Sequence, residues 1–435
     1  IAKGGVVFTQ HYVQGAACVP SRPSIFSGRY VSAHLQFNAR PLPETEFLLT
    51  HYLKEVGYKT MGFGKFHFEP QKKKGYFHPT GGVNTDPQPK EFPWYGFDYV
   101  EVSEDSRTGL YEEYLKKHGY TRKDDLDSGD IGQWKCYTSA YPEEHYQTTW
   151  ITNRAIEHIR NYKENKPLFL FVSYVDPHHP FHVPSPYDKM YNPDELPLPI
   201  RHSVELENNP LIRERYYYQG KKSYCLTDFS KFTDYDWKRI KAYYYGKISL
   251  IDKNVGRILK ELENKGLLED SIIIFTSDHG EFLGDHWLLT KGCSDYDCII
   301  KVPFILYYPE KLPSGLSINS FTQEIDIFPT LCELIGVPIP STVQGKSLLP
   351  LIEGSSKEIY EEILVETGPT IRTKEWRMTV REGGYSELYN LKDDPNQFFN
   401  LWYDDKYWKV KEKLMQRLIM RMKEALPVPK PEAIW

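Results

Sequence analysis

The order of apolar and polar residues along the chain follows two different periods. Short unbroken apolar runs, such as LFLFVSYV at Leu168–Val175, are typical of strands buried on both faces of a parallel sheet. Apolar residues spaced three and four apart, as in Ile248–Leu262, indicate amphipathic helices. The pattern predicts strands at Gly4–Tyr12, Tyr58–Phe63, Leu168–Val175, Ser271–Thr276 and Val302–Tyr307, and helices at Glu46–Val56, Thr149–Tyr162, Ile248–Leu262 and Thr330–Ile335.

This alternation predicts an α/β fold class, with a large, mostly parallel sheet sandwiched by helices. Beyond residue 350 the pattern changes to short strands at Ile363–Glu366, Trp376–Arg381 and Glu387–Leu391, followed by an amphipathic helix at Tyr407–Glu424. We therefore expect two domains, residues 1–350 and a smaller α+β domain of residues 351–435. Residues 70–145 and 181–235 show no clear period, and we interpret them as long surface excursions that determine specificity.

The composition narrows the possible functions. Hydrophobic residues make up 40% of the chain and charged residues 26%, as in an ordinary globular protein. The 54 Lys and Arg against 59 Asp and Glu give a net charge of −5, which argues against a nucleic-acid partner. No apolar run approaches the roughly 18 residues of a membrane span. The 6 cysteines form no Cys-x-x-Cys pair, and a disulfide between Cys293 and Cys298 is left open.

Candidate chemistry centres on Cys18, in the run ACVPSRPSIFSGR at Ala17–Arg29. Pro23 suits the first turn of a helix because it has no N–H to leave unpaired, and Gly28 can end that helix. Cys18 would then lie just before a helix N-terminus, where free N–H groups and the helix dipole favour an anion. Arg22 adds a fixed charge that can bind a tetrahedral oxyanion through two hydrogen bonds. For this motif alone, the alternative is a buried structural cysteine beside a turn.

Three of the predicted strands end in polar clusters. These clusters are Lys65 and His67, then His178 and His179, then Asp278 and His279. Ligands of open α/β sheets bind outside the carboxyl ends of the strands, so we expect the three clusters to meet at the edge that also carries Cys18. One histidine after an apolar strand is weak evidence, because most histidines are ordinary polar residues. Three clusters together with the Cys18 run are difficult to explain by packing.

The Cys18 run resembles the signature of the type I sulfatases, in which a cysteine followed by x-Pro-x-Arg is oxidised after translation to formylglycine. Further family motifs occur in family order: GYKT and GKFH within Gly57–His67, DPH at Asp176–His178, TSDHGE at Thr276–Glu281 with Gly284-Asp285-His286 and Lys291, and ELYNLKDDP at Glu387–Pro395. On these motifs the chain is identified as a member of the formylglycine-dependent sulfatases, arylsulfatase-like, within the alkaline phosphatase superfamily.

The resemblance implies a sulfuric ester hydrolase that cleaves a sulfate monoester of an aryl or carbohydrate group. It implies a formylglycine nucleophile derived from Cys18, and hence a formylglycine-generating or anaerobic sulfatase-maturating enzyme as a partner. It also implies one calcium ion held by Asp278, His279 and the modified Cys18 position. The family carries further acidic metal ligands on a strand upstream of the cysteine, and the sequence begins after that point. We therefore expect an underfilled metal site beside an unpaired strand edge or a gap in the sheet.

The resemblance also assigns roles to the candidate residues. The implied catalytic residues are Cys18, Arg22, Lys65, His67, His178 and Lys291. Arg22, Lys65 and Lys291 would neutralise the sulfate oxygens, with His178 protonating the leaving group. His67 would accept a proton when sulfate is released. We interpret His179, His182 and His286 as supporting or loop residues.

Two other functions are open at this point. Relatives with the same site accept phosphoryl groups, so a phosphonate monoester or phosphodiester hydrolase is the alternative enzyme. A non-catalytic glycan-binding relative is the alternative from another class. The chain shows no Asn-x-Ser/Thr sequon, which favours a bacterial protein, periplasmic or extracellular, with a cytoplasmic location also possible.

Overall fold

The computed structural model describes residues 1–36, 41–69, 89, 91–126, 136–222, 229–292 and 294–427. Its strands are β1 (Val6–Tyr12), β2 (Lys59–Gly64), β3 (Tyr99–Val102), β4 (Tyr137–Thr138), β5 (Leu168–Ser173), β6 (His182–Val183), β7 (Ile273–Thr276), β8 (Lys301–Tyr307), β9 (Leu316–Gln323), β10 (Glu362–Val365), β11 (Thr370–Thr373), β12 (Trp376–Thr379) and β13 (Glu387–Asn390). Its α-helices are α1 (Cys18–Ser27), α2 (Val31–His34), α3 (Leu49–Glu55), α4 (Leu110–Lys117), α5 (Arg122–Leu126), α6 (Gln147–Asn161), α7 (Val204–Asn208), α8 (Pro210–Lys222), α9 (Asp234–Asn264), α10 (Asp297–Ile300), α11 (Ile327–Ile335), α12 (Leu349–Ile352) and α13 (Trp408–Ala425).

The apolar strands assemble into two main sheets. In the first, the strand order is β7-β8-β1-β9, with β8 antiparallel to both of its neighbours and β1 parallel to β9. In the second, the order is β3-β2-β5 and every pair is parallel. The α/β fold with parallel strands is thus confirmed, and β8 is an antiparallel strand within it. The sequence pattern missed β9, because polar residues interrupt its apolar ones.

Strand β1 has a partner on each side, so the unpaired edge expected beside the metal site is not at β1. The later strands β8 and β9 return to flank it. The interruption in strand pairing lies instead at β5 and β7, each of which is the last strand of its sheet among the described residues. Both have apolar sequences that predict complete burial, yet nearly all their residues are only half-buried.

The helices cover the sheets and supply most of the remaining core. Helix α6 packs against β2, β5 and α9. Helix α9 begins at Asp234 rather than at the predicted Ile248, because Thr233 caps its N-terminus by a reciprocal pair of hydrogen bonds with Asp236. The excursions also contain regular structure that the pattern missed, namely β3, α4, α7 and α8. No helix among the described residues is long and apolar enough to cross a membrane.

The C-terminal part forms a separate antiparallel sheet, with the order β10-β11-β12-β13. Helix α13 packs on β10 and β11, and the apolar residues between them include Leu364, Ile371, Met378, Leu414 and Leu418. This arrangement is the predicted smaller α+β domain. Strand β11 was not predicted, because its sequence Thr-Ile-Arg-Thr has only one apolar residue.

Candidate active site

Arg22 joins the ends of three strands at one point. Its Nη1 donates to the Lys65 carbonyl oxygen at 2.6 Å, directly after β2, and to Ser173 Oγ at 2.8 Å, the last residue of β5. Its Nε donates to Asp278 Oδ2 at 2.7 Å, just beyond β7. The guanidinium group is nearly buried, and these contacts bring together the polar clusters that the sequence placed at separate strand ends.

Helix α1 carries Cys18 at its first residue, as the anion-favouring position requires. Ala17 before it is extended, and Gly28 ends the helix in the left-handed region with φ 64°. Pro23 lies inside the helix rather than in its first turn, which corrects the predicted position. Its missing N–H leaves the Val19 carbonyl oxygen without its usual helical donor, and Ser27 Oγ donates to the Pro23 carbonyl oxygen at 2.7 Å one turn later. Cys18 is 8% exposed.

The Cys18 sulfur lies in an electropositive environment. Burial alone would raise the pKa of the thiol, but the charges of Lys65 and His67 and hydrogen bonds from His279 and His67 hold that pKa well below its usual value. The same groups favour any anionic oxygen that forms at this position. The helix N-terminus adds its own positive end. The sequence therefore folds so that the Cys18 side chain faces cations and N–H donors.

Two acidic residues that the sequence analysis missed pair with Lys65 and His67. Lys65 Nζ lies 2.9 Å from Asp105 Oδ1, and His67 Nε2 lies 3.2 Å from Glu104 Oε2. Glu104 Oε1 also accepts the N–H groups of Phe66 and His67, at 2.9 and 3.0 Å. Burial alone would lower the pKa of His67, but Glu104 raises it above its ordinary value. Both acids follow β3, a strand of four residues that the sequence pattern did not reveal.

His178 is held by a buried lysine of helix α9. Lys247 Nζ donates to the carbonyl oxygens of His178 and Pro180, both at 2.7 Å, and pairs with Asp176 Oδ1 at 2.9 Å. The His178 ring stacks on His179 with centroids 3.9 Å apart. Burial lowers the pKa of His178 well below its ordinary value, although the carboxylate of Asp105 opposes this shift. The imidazole is therefore neutral in the free protein.

The C-terminal sheet holds the segment that follows Lys291. Ser294 Oγ donates to Glu387 Oε2 at 2.9 Å, and Thr370 Oγ1 donates to Asp295 Oδ2 at 2.7 Å. Thr367 Oγ1 accepts the Ala16 N–H at 2.9 Å and donates to Asp295 Oδ1 at 3.2 Å. Thr367 therefore joins the segment before Cys18 to the segment after Lys291. Lys291 is half-buried, and its charge lowers the pKa values of Asp105, Asp278 and His178.

The predicted metal ligands lie together but do not complete a calcium shell. Asp278 Oδ1 is 3.7 Å from His279 Nε2, while Asp278 Oδ2 is occupied by Arg22. Calcium takes about six to eight oxygen ligands. The described part of the chain contains no group of three or more His, Cys, Asp or Glu side chains arranged to hold a metal ion. These residues alone therefore do not fit a complete calcium site.

The three histidines interpreted as supporting or loop residues, His179, His182 and His286, lie in two different environments. His182 Nε2 lies 2.9 Å from Asp125 Oδ2 and His286 Nδ1 lies 2.5 Å from Glu205 Oε1, and all four residues are buried. These two histidines support packed polar networks, as interpreted from the sequence. His179 instead lies at the candidate site because it stacks on His178. Of the possible disulfide, Cys298 has a free thiol and Cys293 lies outside the described residues.

Comparisons with known proteins decide the family. The sequence model of the family described as "Sulfatase" matches residues 1–337. The chain belongs to the sulfatase family. A second model, described as "N-sulphoglucosamine sulphohydrolase, C-terminal", matches residues 284–424 of this sulfatase-family protein.

The sulfatase-family chain has relatives that match over most of both lengths. It is 29% identical to an arylsulfatase of Clostridium perfringens, over 94% of the chain and 85% of the relative. It is 24% identical to an N-acetylglucosamine-6-O-sulfatase of Bacteroides thetaiotaomicron, over 96% of the chain and 80% of the relative. The solved structure of a phosphonate monoester hydrolase of Agrobacterium radiobacter matches with a TM-score of 0.81 and 26% identity, covering 98% and 90% of the two chains. The protein is therefore a hydrolytic enzyme with the alkaline-phosphatase-like fold.

Proposed function

We propose that this sulfatase-family enzyme hydrolyses a sulfate monoester of an aryl or carbohydrate group, with a formylglycine derived from Cys18 as the nucleophile. The observation that carries this proposal is the position of Cys18. The residue begins a helix, is nearly buried, and is surrounded by Lys65, His67 and His279, which together stabilise negative charge there. A formylglycine supplies an oxygen nucleophile and a route for releasing sulfate that a thiol lacks.

The surrounding residues have distinct tasks in this proposal. Arg22, Lys65 and Lys291 balance the charge of the sulfuryl oxygens, and the Arg22 guanidinium also holds three strand ends together. His178 holds a proton for the leaving oxygen once the substrate anion lies beside it, since a nearby anion favours the imidazolium. His67, paired with Glu104, accepts a proton in its neutral form when sulfate is released. Maturation requires a formylglycine-generating or anaerobic sulfatase-maturating enzyme.

Calcium is a separate part of the proposal. Asp278, His279 and the modified Cys18 position are the described residues that would contact the ion, and a cation there would add Lewis-acid stabilisation of the sulfuryl oxygens. The remaining ligands would have to come from outside the described residues, so none of the tasks above depends on the ion.

The substrate class rests on the relatives. The matched proteins include an arylsulfatase and an N-acetylglucosamine-6-O-sulfatase, which supports an aryl or saccharide sulfate. A phosphonate monoester hydrolase is the second candidate function, because a protein of that name matches the fold with a TM-score of 0.81. Sulfate monoesters and phosphonate monoesters both carry one negative charge on the transferred group, so the same cations suit both.

The test is hydrolysis of matched esters by enzyme coexpressed with a maturating enzyme. We expect turnover of 4-nitrophenyl sulfate to exceed that of 4-nitrophenyl phenylphosphonate, and Cys18→Ala to abolish both. Lys65→Ala should lower kcat by about 10²–10³-fold, as for a lost oxyanion donor. Lys54→Ala, which removes an exposed lysine paired with Asp98 at 2.7 Å, is the control and should leave kcat unchanged. Faster phosphonate hydrolysis would favour the second function, and activity in Cys18→Ala would reject both.

A further inference from the structure

Three basic side chains of the site enclose a carboxylate that the proposed reaction does not use. Asp105 Oδ1 lies 2.9 Å from Lys65 Nζ, and its Oδ2 lies 3.6 Å from His67 Nε2 and 3.8 Å from His178 Nε2. The Asp105 side chain is 25% exposed, whereas those of Lys65 and His67 are 3% and 7% exposed. The carboxylate is therefore the more solvent-accessible partner in each pair.

This carboxylate changes the charge that an incoming anion meets. Lys65 and His178 are the groups assigned above to the sulfuryl oxygens and the leaving oxygen, so the reacting group must come close to Asp105. A second negative charge on that group would be repelled by the carboxylate, since partly buried charges a few ångströms apart are poorly screened. Sulfate monoesters, phosphonate monoesters and phosphodiesters carry one charge, whereas phosphate monoesters carry nearly two at neutral pH.

We propose that Asp105 is a specificity-determining residue that makes the site select singly charged esters over doubly charged ones. This inference rests on the proposed function, because it assumes that the ester binds among Lys65, His67 and His178. The alternative is that Asp105 only positions Lys65. These two roles differ in their consequences, because loss of positioning lowers the rates on all esters together, whereas loss of charge selection changes their ratio.

The kinetic experiment compares 4-nitrophenyl sulfate with 4-nitrophenyl phosphate, which share a leaving group. Asp105→Asn keeps the size of the side chain and removes the charge, and Asp105→Ser is a second neutral variant. We expect the ratio of kcat/KM for phosphate over sulfate to rise on the order of 10- to 100-fold in both. Asp105→Glu keeps the charge and Glu113→Gln removes an exposed charge on α4, so both should leave the ratio near that of the unaltered enzyme. An unchanged or lower ratio in the neutral variants would overturn the proposal.

A binding experiment separates this inference from the proposed function. Methanesulfonate carries one charge and inorganic sulfate two, and neither is hydrolysed. Calorimetry should show that Asp105→Asn gains affinity for sulfate by a larger factor than for methanesulfonate. Equal gains, or none, would overturn the role of Asp105 even in an active sulfatase. If the unaltered enzyme hydrolyses no sulfate ester but the unequal gain is present, the proposed function fails and the charge selection stands.

Discussion

Replacing Lys247 by Met should both destabilise the protein and slow the reaction. Met keeps most of the volume of the side chain but removes an ammonium that is fully buried and bonded to Asp176 and to the carbonyl oxygens of His178 and Pro180. Breaking a buried ion pair by removing one partner costs about 3–5 kcal/mol. Thr148 still donates to Asp176 Oδ2 at 2.6 Å, so we expect the lower end of that range. The displaced His178 should lower kcat by about 10- to 100-fold.

The assay is urea denaturation of the unaltered protein and the variant, with kcat measured on the same preparations. Lys253→Met is the matched control on the same helix, since the Lys253 side chain is 51% exposed and its Nζ pairs with Glu143 at 2.6 Å. A surface pair of this kind contributes below about 1 kcal/mol. Adding Asp176→Asn to Lys247→Met should recover part of the loss, because it removes the uncompensated charge. A Lys247→Met protein as stable and as active as the Lys253→Met control would show that Lys247 neither stabilises the fold nor holds His178 in place.

Three further outcomes follow from the same contacts. His178→Ala should lower kcat by about 10²–10⁴-fold on an alkyl sulfate. The loss should be smaller on 4-nitrophenyl sulfate, because its good leaving group needs little protonation. Equal losses on the two substrates would show that His178 is not the general acid. Thr367→Val removes the hydroxyl that joins the segment before Cys18 to the segment after Lys291. The value of kcat/KM should fall about tenfold while the circular dichroism spectrum is retained. Unchanged kinetics would show that this contact does not position the site. Burial alone would raise the pKa of Glu101, but hydrogen bonds from His158 and Arg154 lower it from 4.5 to about 2. The charged Glu101 therefore stabilises the fold fully above the pKa it has in the unfolded chain, and this stabilisation is lost as the pH falls. In urea denaturation, the difference in free energy of unfolding between the unaltered protein and Glu101→Gln should shrink below pH 4.5. A difference that does not change with pH would contradict this.

The convergence of the strand ends could be predicted because each strand is an apolar run followed at once by polar residues. Lys65, His178 and Asp278 follow three such strands, and parallel pairing or Arg22 brings the strand ends together. Asp105 could not be found in the same way. Its strand, β3, has four residues and follows a long stretch with no period, so neither the strand nor the acid after it was distinct in the sequence.

Contacts between distant segments were also beyond sequence analysis. Thr367 meets the Ala16 N–H and Asp295 only because the C-terminal sheet docks on the catalytic part, and no local pattern encodes that docking. Lys247 was similarly hidden, because lysine is almost always exposed, and only the packing of α9 shows its burial. The positions of β8 and β9 on either side of β1 depend on the same long-range assembly.

The central claim is that formylglycine at position 18 carries out sulfate ester hydrolysis. The most direct test is kcat for 4-nitrophenyl sulfate measured across preparations that differ in the fraction of Cys18 converted to the aldehyde, as read from the mass of the peptide that contains it. We expect kcat to be proportional to this fraction and to be zero when the cysteine is unmodified. Turnover that does not change with the modified fraction, or no turnover by fully modified enzyme, would contradict it.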